Sequence, residues 1–201
     1  MEVLVRQHQA QVPPGHLPLL NAMRSIQENL TQYAAYHRDR RNIATHFIGV
    51  PMIVFSVILA LNTAAFTVGA VVVPVSVLVT AAAIVYYVAL DKMLGITMAA
   101  ILLLMCAGAS EITARASTLG SLGWAAGIFI VGWALQFWGH HFEGMKPAFY
   151  DDVKQLLIGP LFVLAEAFFA FGAKPELRHY IEERVGPTVA RRTGGGTSSA
   201  A

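Results

Sequence analysis

Seven histidines stand in the chain against a single cysteine. His8, His16 and His179 lie in polar segments and read as solvated side chains. His37, His46, His140 and His141 stand where polar stretches meet apolar runs, and Glu143 follows His140 by three residues. Imidazole is the usual ligand for divalent metals where thiolates are lacking. One thiol makes neither a disulfide framework nor a cysteine-based zinc site, and Cys106, inside an apolar run, reads as a small buried hydrophobe. Histidines with a carboxylate and open positions suit non-haem iron and oxygen chemistry, with tetrahedral zinc as the competitor. Glu166 is a carboxylate inside an apolar run. It reads as a ligand, as a partner orienting a histidine, or as a protonated acid bonding a neighbouring helix. His37 and His46 are nine residues apart, half a rotation out of phase on one continuous helix. They converge only if the chain breaks between them, and residues 38–42, with Asn42 as an N-cap, offer that break.

The elements that must position these groups are apolar helices. Hydrophobic residues make up 56% of the 201 and charged residues 13%, about half the usual charged share of a soluble domain. Residues 19–41 read as an amphipathic helix, with Leu19, Met23, Ile26, Leu30 and Tyr33 at spacings of three and four. Apolar runs follow at residues 47–61, 66–90, 93–110 and 119–138. A fifth run, 153–171, is broken by Gly159-Pro160 and reads as re-entrant or interfacial. Residues 66–90 and 93–109 show no polar face, which a soluble helix needs. The expected fold is an all-α polytopic transmembrane bundle of four spans plus the broken fifth segment. Its divisions are a cytoplasmic segment at 1–45, a bundle carrying the metal site at 43–172, and a polar, partly disordered tail at 173–201.

Arg24, Arg38, Arg40 and Arg41 precede the first span, so the positive-inside rule places the N-terminus in the cytoplasm. Counting crossings then delivers His37, His46, His140 and His141 to one membrane face. A net charge of +2 without a clustered basic face gives no nucleic-acid footprint. No apolar stretch near the start suits a cleavable signal peptide. Small residues in the third and fourth runs permit a homo-oligomer. Neither a nucleophile elbow nor an H-E-x-x-H helix is present. The H-x-x-x-H and H-x-x-H-H clusters of membrane di-iron enzymes are missing as well. A small transporter or scaffold, or a zinc-dependent hydrolase, stands as the alternative to an oxygenase.

Three segments carry a resemblance. Tyr36-His37, Asn42 and His46 through Pro51 form the first. Trp133, Gln136-Phe137, Gly139-His140, Phe142-Glu143 and Pro147-Ala148 form the second, and Pro160 to Glu166 the third. Together, over residues 30–170, they resemble the signatures of the Mpo1-like family. That resemblance implies a membrane-embedded iron(II) (Fe2+) dioxygenase that shortens 2-hydroxy fatty acids by one carbon through α-oxidation, using O2. Carried over by motif, the iron ligands are His37, His46 and His140. The segment Gly139-His140-His141-Phe142-Glu143 lacks a residue that the eukaryotic pattern has before its Phe-Glu pair, so His140 and His141 both qualify for the third position. Short loops and the absence of an organelle signal imply a bacterial inner membrane, with the site at its cytoplasmic side. The substrate's tail would lie in the lipid-like space between spans, and Arg38, Arg40 or Arg41 would attract its carboxylate.

Overall fold

The computed structural model describes residues 25–147 and 152–189. The expectations for the first 24 residues and for the low-complexity end of the tail fall outside them. The described chain is mostly helical. Helix α1 is Ile26–Ala34, α2 Arg40–Asn62, α3 Val75–Leu90, α4 Lys92–Arg115, α5 Thr118–Glu143, α6 Gln155–Ala170 and α7 Pro175–Val185. A two-stranded antiparallel hairpin, β1 Ala65–Val68 with β2 Val71–Pro74, stands between α2 and α3.

Helix α1 starts with a capping box: the Ser25 side chain accepts from Glu28 N–H while Glu28 reaches back to Ser25. Ile26, Leu30 and Tyr33 are its buried face, as the spacing predicts, but the helix ends at Ala34 and does not continue to Arg41. The next helix is capped by Asp39, whose carboxylate accepts from Arg41 N–H. Asn42 lies inside α2 instead of capping it, so the break between His37 and His46 is residues 35–39. Pro51 is accommodated within α2.

Three helices, α2, α4 and α5, are long and apolar enough to cross a membrane. The expected span over 66–90 is not one continuous helix. Val68, Val71 and Val72 are β-branched and pair in the hairpin, with Gly69 at φ +59° in its turn. Only 16 helical residues are left in α3, about 24 Å at 1.5 Å per residue, short of the ~30 Å hydrocarbon core. The fifth segment also differs from expectation. Helix α6 runs unbroken through Gly159-Pro160, and the chain turns after it, at Gly172 (φ +75°) and Lys174 (φ 54°). There α6 and α7 meet at 112°. Together α6 and α7 count as one further candidate span only if that bend is taken as a broken crossing. Large apolar side chains such as Val85, Leu104, Leu119 and Ile130 face outward, as a lipid-facing surface requires.

The most extensive helix pairing is α2 on α5. They run antiparallel, because Gly49 and Ile53 meet Gly132 while Asn42 and Thr45 meet Gly139. A side chain at Gly132 would press on Ile53 at 2.8 Å and one at Gly139 on Asn42 at 2.5 Å, so the missing Cβ atoms are what allow the approach. This pairing brings the start of α2 and the end of α5 together. Helix α6 and α1 pack across that same end, with Phe162 against Tyr33 and His37.

Candidate metal centre

His37 closes the turn after α1, His46 sits one and a half turns into α2, and His140 lies in the last turn of α5. All three are buried. One ring nitrogen from each lies within 4.8 Å of the others, and the ring centroids are 4.5, 4.8 and 5.2 Å apart. Among the described residues this is the group able to hold a metal ion.

The hydrogen bonds define the protonation pattern. His37 Nδ1 lies 2.7 Å from the Tyr33 carbonyl, and His46 Nδ1 lies 2.8 Å from the Asn42 carbonyl. A carbonyl only accepts, so both Nδ1 atoms carry the hydrogen. Both Nε2 atoms then present lone pairs, and they face each other at 3.0 Å. Two acceptors at that separation repel unless a cation lies between them. A proton is a poor candidate: burial, then the neighbouring His46 and His140, push His37 well below its ordinary value of 6.5. The donor set therefore fits a divalent metal, with backbone carbonyls fixing each ring as such ligands require.

The segment bearing His37 is clamped from two sides. Glu143 Oε2 accepts from Arg38 N–H at 3.0 Å, Asp39 N–H at 2.8 Å and Asn42 Nδ2 at 3.1 Å. On the other side Val189 N–H donates to the Arg38 carbonyl at 2.8 Å, and Arg40 N–H donates to the Val189 carbonyl at 3.0 Å. Tyr33 stacks on His37 with ring centroids 4.1 Å apart, and burial holds its hydroxyl above its ordinary range.

The remaining candidate residues sit elsewhere. His141 is exposed, its ring beside Phe142, and it lies outside the cluster that contains His140. Glu166 faces Arg38 at 3.8 Å, in a polar pocket shared with Arg178 and Glu182. Glu143 serves the backbone of the His37 segment, one turn beyond His140. Arg41 is held by Asp39 at 2.8 Å and lies over Phe142.

A narrow cavity of about 70 Å³ opens beside His46 and His140. Its other polar walls are Tyr33, Trp133, Gln136 and Gln155. Gln155 escaped the sequence reading, and its one signal is an amide heading the apolar run of α6. Gln136 stood in a motif without a role. Next to this cavity lies a larger apolar one of about 310 Å³ between α2, α3, α5 and α6, sharing Ile53, Val54, Trp133, Leu156 and Pro160 with it.

Fold and site together define a bundle of apolar helices with a three-histidine metal-binding geometry at one end. The chain belongs to the 2-hydroxy-palmitic acid dioxygenase Mpo1-like family, which matches residues 23–171. It is 28% identical over 159 residues to the 2-hydroxy-palmitic acid dioxygenase MPO1 of Saccharomyces cerevisiae, covering 78% of this chain and 87% of the yeast protein. No solved structure matches.

Proposed function

We propose that this protein is an iron(II)-dependent dioxygenase that performs α-oxidation of 2-hydroxy long-chain fatty acids, removing the carboxyl carbon. The observation that carries the reading is the pair of Nε2 lone pairs of His37 and His46 facing each other at 3.0 Å beside His140. The family and the named activity of the yeast relative supply the substrate class. His37, His46 and His140 are the metal ligands, with Glu143 as a positioning residue for the first of them. When bound, iron(II) supplies the electron-transfer chemistry that lets O2 react with a closed-shell acid.

The chain's own residues do the rest. The carbonyls of Tyr33 and Asn42 hold the imidazoles in the ligating tautomer. The Nε2 atoms of His37 and His46, with a ring nitrogen of His140, would hold the iron. Tyr33, Phe162 and Trp133 enclose the site and exclude bulk water. The apolar cavity beside it takes the acyl tail, and O2 is itself apolar and arrives through the lipid. Helices α2, α4 and α5 cross a bacterial inner membrane, the shorter α3 returns the chain between α2 and α4 so that α2 and α5 run antiparallel, and the metal lies at the cytoplasmic boundary beside Arg38, Arg40 and Arg41.

Purified protein loaded anaerobically with iron(II), then given 2-hydroxypalmitate and O2, is expected to release the acid one carbon shorter. His37→Ala, His46→Ala and His140→Ala are expected to abolish turnover and metal retention, and His141→Ala to preserve both. A metal-free wild-type protein that gains no activity with iron(II) refutes the proposal.

A further inference from the structure

Two buried amides that line the site cavity carry polar atoms without partners. Gln155 is 2% exposed, and neither its Oε1 nor its Nε2 makes a hydrogen bond. Gln136 is 5% exposed, and its Nε2 is likewise unpaired. Both line the cavity that His46 and His140 border. They come from different helices, α6 and α5, and both residues line one small space. A buried amide without a partner is costly, and native proteins keep few of them. Room for Gln136 is itself built in: a side chain at Gly49 would collide with its Nε2. Two such groups converging on one cavity next to a metal-binding geometry indicate that the missing partner is a ligand's polar group.

The cavity also selects which polar group. Among the described residues no Arg, Lys, Asp or Glu lines it, and Arg38 and Arg41 are engaged with Glu166 and Asp39. Beyond the charge that a bound metal brings, the groups offered there are neutral donors and acceptors. An amide offers both: its N–H₂ suits a carboxylate oxygen, and its carbonyl needs a hydroxyl hydrogen. A 2-hydroxy acid presents these two features on adjacent carbons. An unsubstituted acid supplies no hydrogen for the amide carbonyl. The tail has a place too. The neighbouring apolar cavity follows α2 from Ile53 to Leu61, about 12 Å of helix rise, comparable to the ~15 Å hydrocarbon depth of one leaflet.

We propose that Gln136 and Gln155 read the head group of the substrate, Gln155 bonding the 2-hydroxyl and carboxylate together and Gln136 donating to the carboxylate, while the tail lies in the apolar cavity. This rests on the 2-hydroxy acid reading above. Sites built to bond a hydroxyl reject analogues lacking it far more strongly than apolar pockets reject extra groups, so these amides set the preference for 2-hydroxy over plain acids.

The test is equilibrium binding of 2-hydroxypalmitate and of palmitate to anaerobic iron-loaded protein, wild type against Gln136→Leu and Gln155→Leu, with thermal unfolding of each ligand-free protein. Wild type is expected to prefer the 2-hydroxy acid. Each variant is expected to lose about tenfold to a hundredfold in affinity for it and far less for palmitate, and to unfold no earlier than wild type because an unpaired buried amide is gone. Variants that bind 2-hydroxypalmitate like wild type overturn the proposal, and so do variants that weaken both acids equally while unfolding early. Wild-type turnover of 2-hydroxypalmitate alongside either result leaves the proposed function standing and removes only the role of the amides. Wild-type protein that neither binds nor converts the 2-hydroxy acid overturns both.

Discussion

Replacing Glu143 by Ala is the sharpest probe of how the ligand cluster is assembled. Glu143 Oε2 accepts from Arg38 N–H, Asp39 N–H and Asn42 Nδ2. Those donors stand immediately after His37 and at the residue whose carbonyl holds His46. The substitution leaves three buried donors without a partner, each worth about 1–3 kcal/mol. Water entering the vacated space recovers part of this, so the expected loss of stability is about 3 kcal/mol, toward the low end of the sum. His37 is then free to shift by more than the ~0.5 Å that a metal site tolerates. Loss of such a supporting partner typically weakens metal binding about 10- to 100-fold. Glu143→Gln keeps an oxygen acceptor and is expected to fall between wild type and Glu143→Ala. Competition of iron(II) binding against a chelator, with thermal unfolding in the same detergent, reads both quantities. His141→Ala, two residues away and exposed, is expected to change neither. Wild-type iron affinity and stability in Glu143→Ala would refute the reasoning that this carboxylate holds the His37 segment.

Gly132→Val is expected to cost about 1–3 kcal/mol by overpacking, because Ile53 stands in the way, whereas Gly123→Val, facing open space, leaves thermal unfolding unchanged. Removing the chain from Gly186 onward deletes the two backbone bonds to residues 38 and 40 and the Arg38 guanidinium bond to the Gly186 carbonyl. Chelator competition is expected to show a weakening of iron binding smaller than that of Glu143→Ala. Burial pushes the Asp91 carboxyl up, but Lys174 and the N–H groups of Leu94 and Met93 outweigh it and hold it below its ordinary 3.8. A lowered folded-state value means the contribution is full above 3.8 and drains away as pH falls below it. Wild type is therefore expected to lose its stability advantage over Asp91→Asn as unfolding is followed from pH 6 to pH 3.

A cluster of histidines was legible because imidazole is chemically distinctive and because counting four crossings returns residues 46 and 140 to the same end of a bundle. The choice between His140 and His141 was not legible. Neighbouring residues on a helix point about 100° apart, and only the packing of α5 on α2 through Gly132 and Gly139 turns one of them inward. The hairpin at 65–74 was misread because an apolar run rich in valine fits a buried helix and a strand equally well. The sequence favours a break at Gly159-Pro160 because proline is the strongest breaker visible in a sequence. In the fold, Gly159 instead lets Tyr33 approach closely, and Gly172 makes the turn. Gln155 carried no pattern at all: its meaning comes from being buried without a partner beside a cavity, which is a property of packing.

The central claim is that His37, His46 and His140 hold one iron. X-ray absorption at the iron edge of anaerobically loaded protein tests it most directly. One iron per chain with three imidazole nitrogens in its coordination shell is expected, with loss of that signal in His46→Ala but not in His141→Ala. Iron that fails to bind, or a shell without imidazole scattering that is indifferent to His46→Ala, would contradict it.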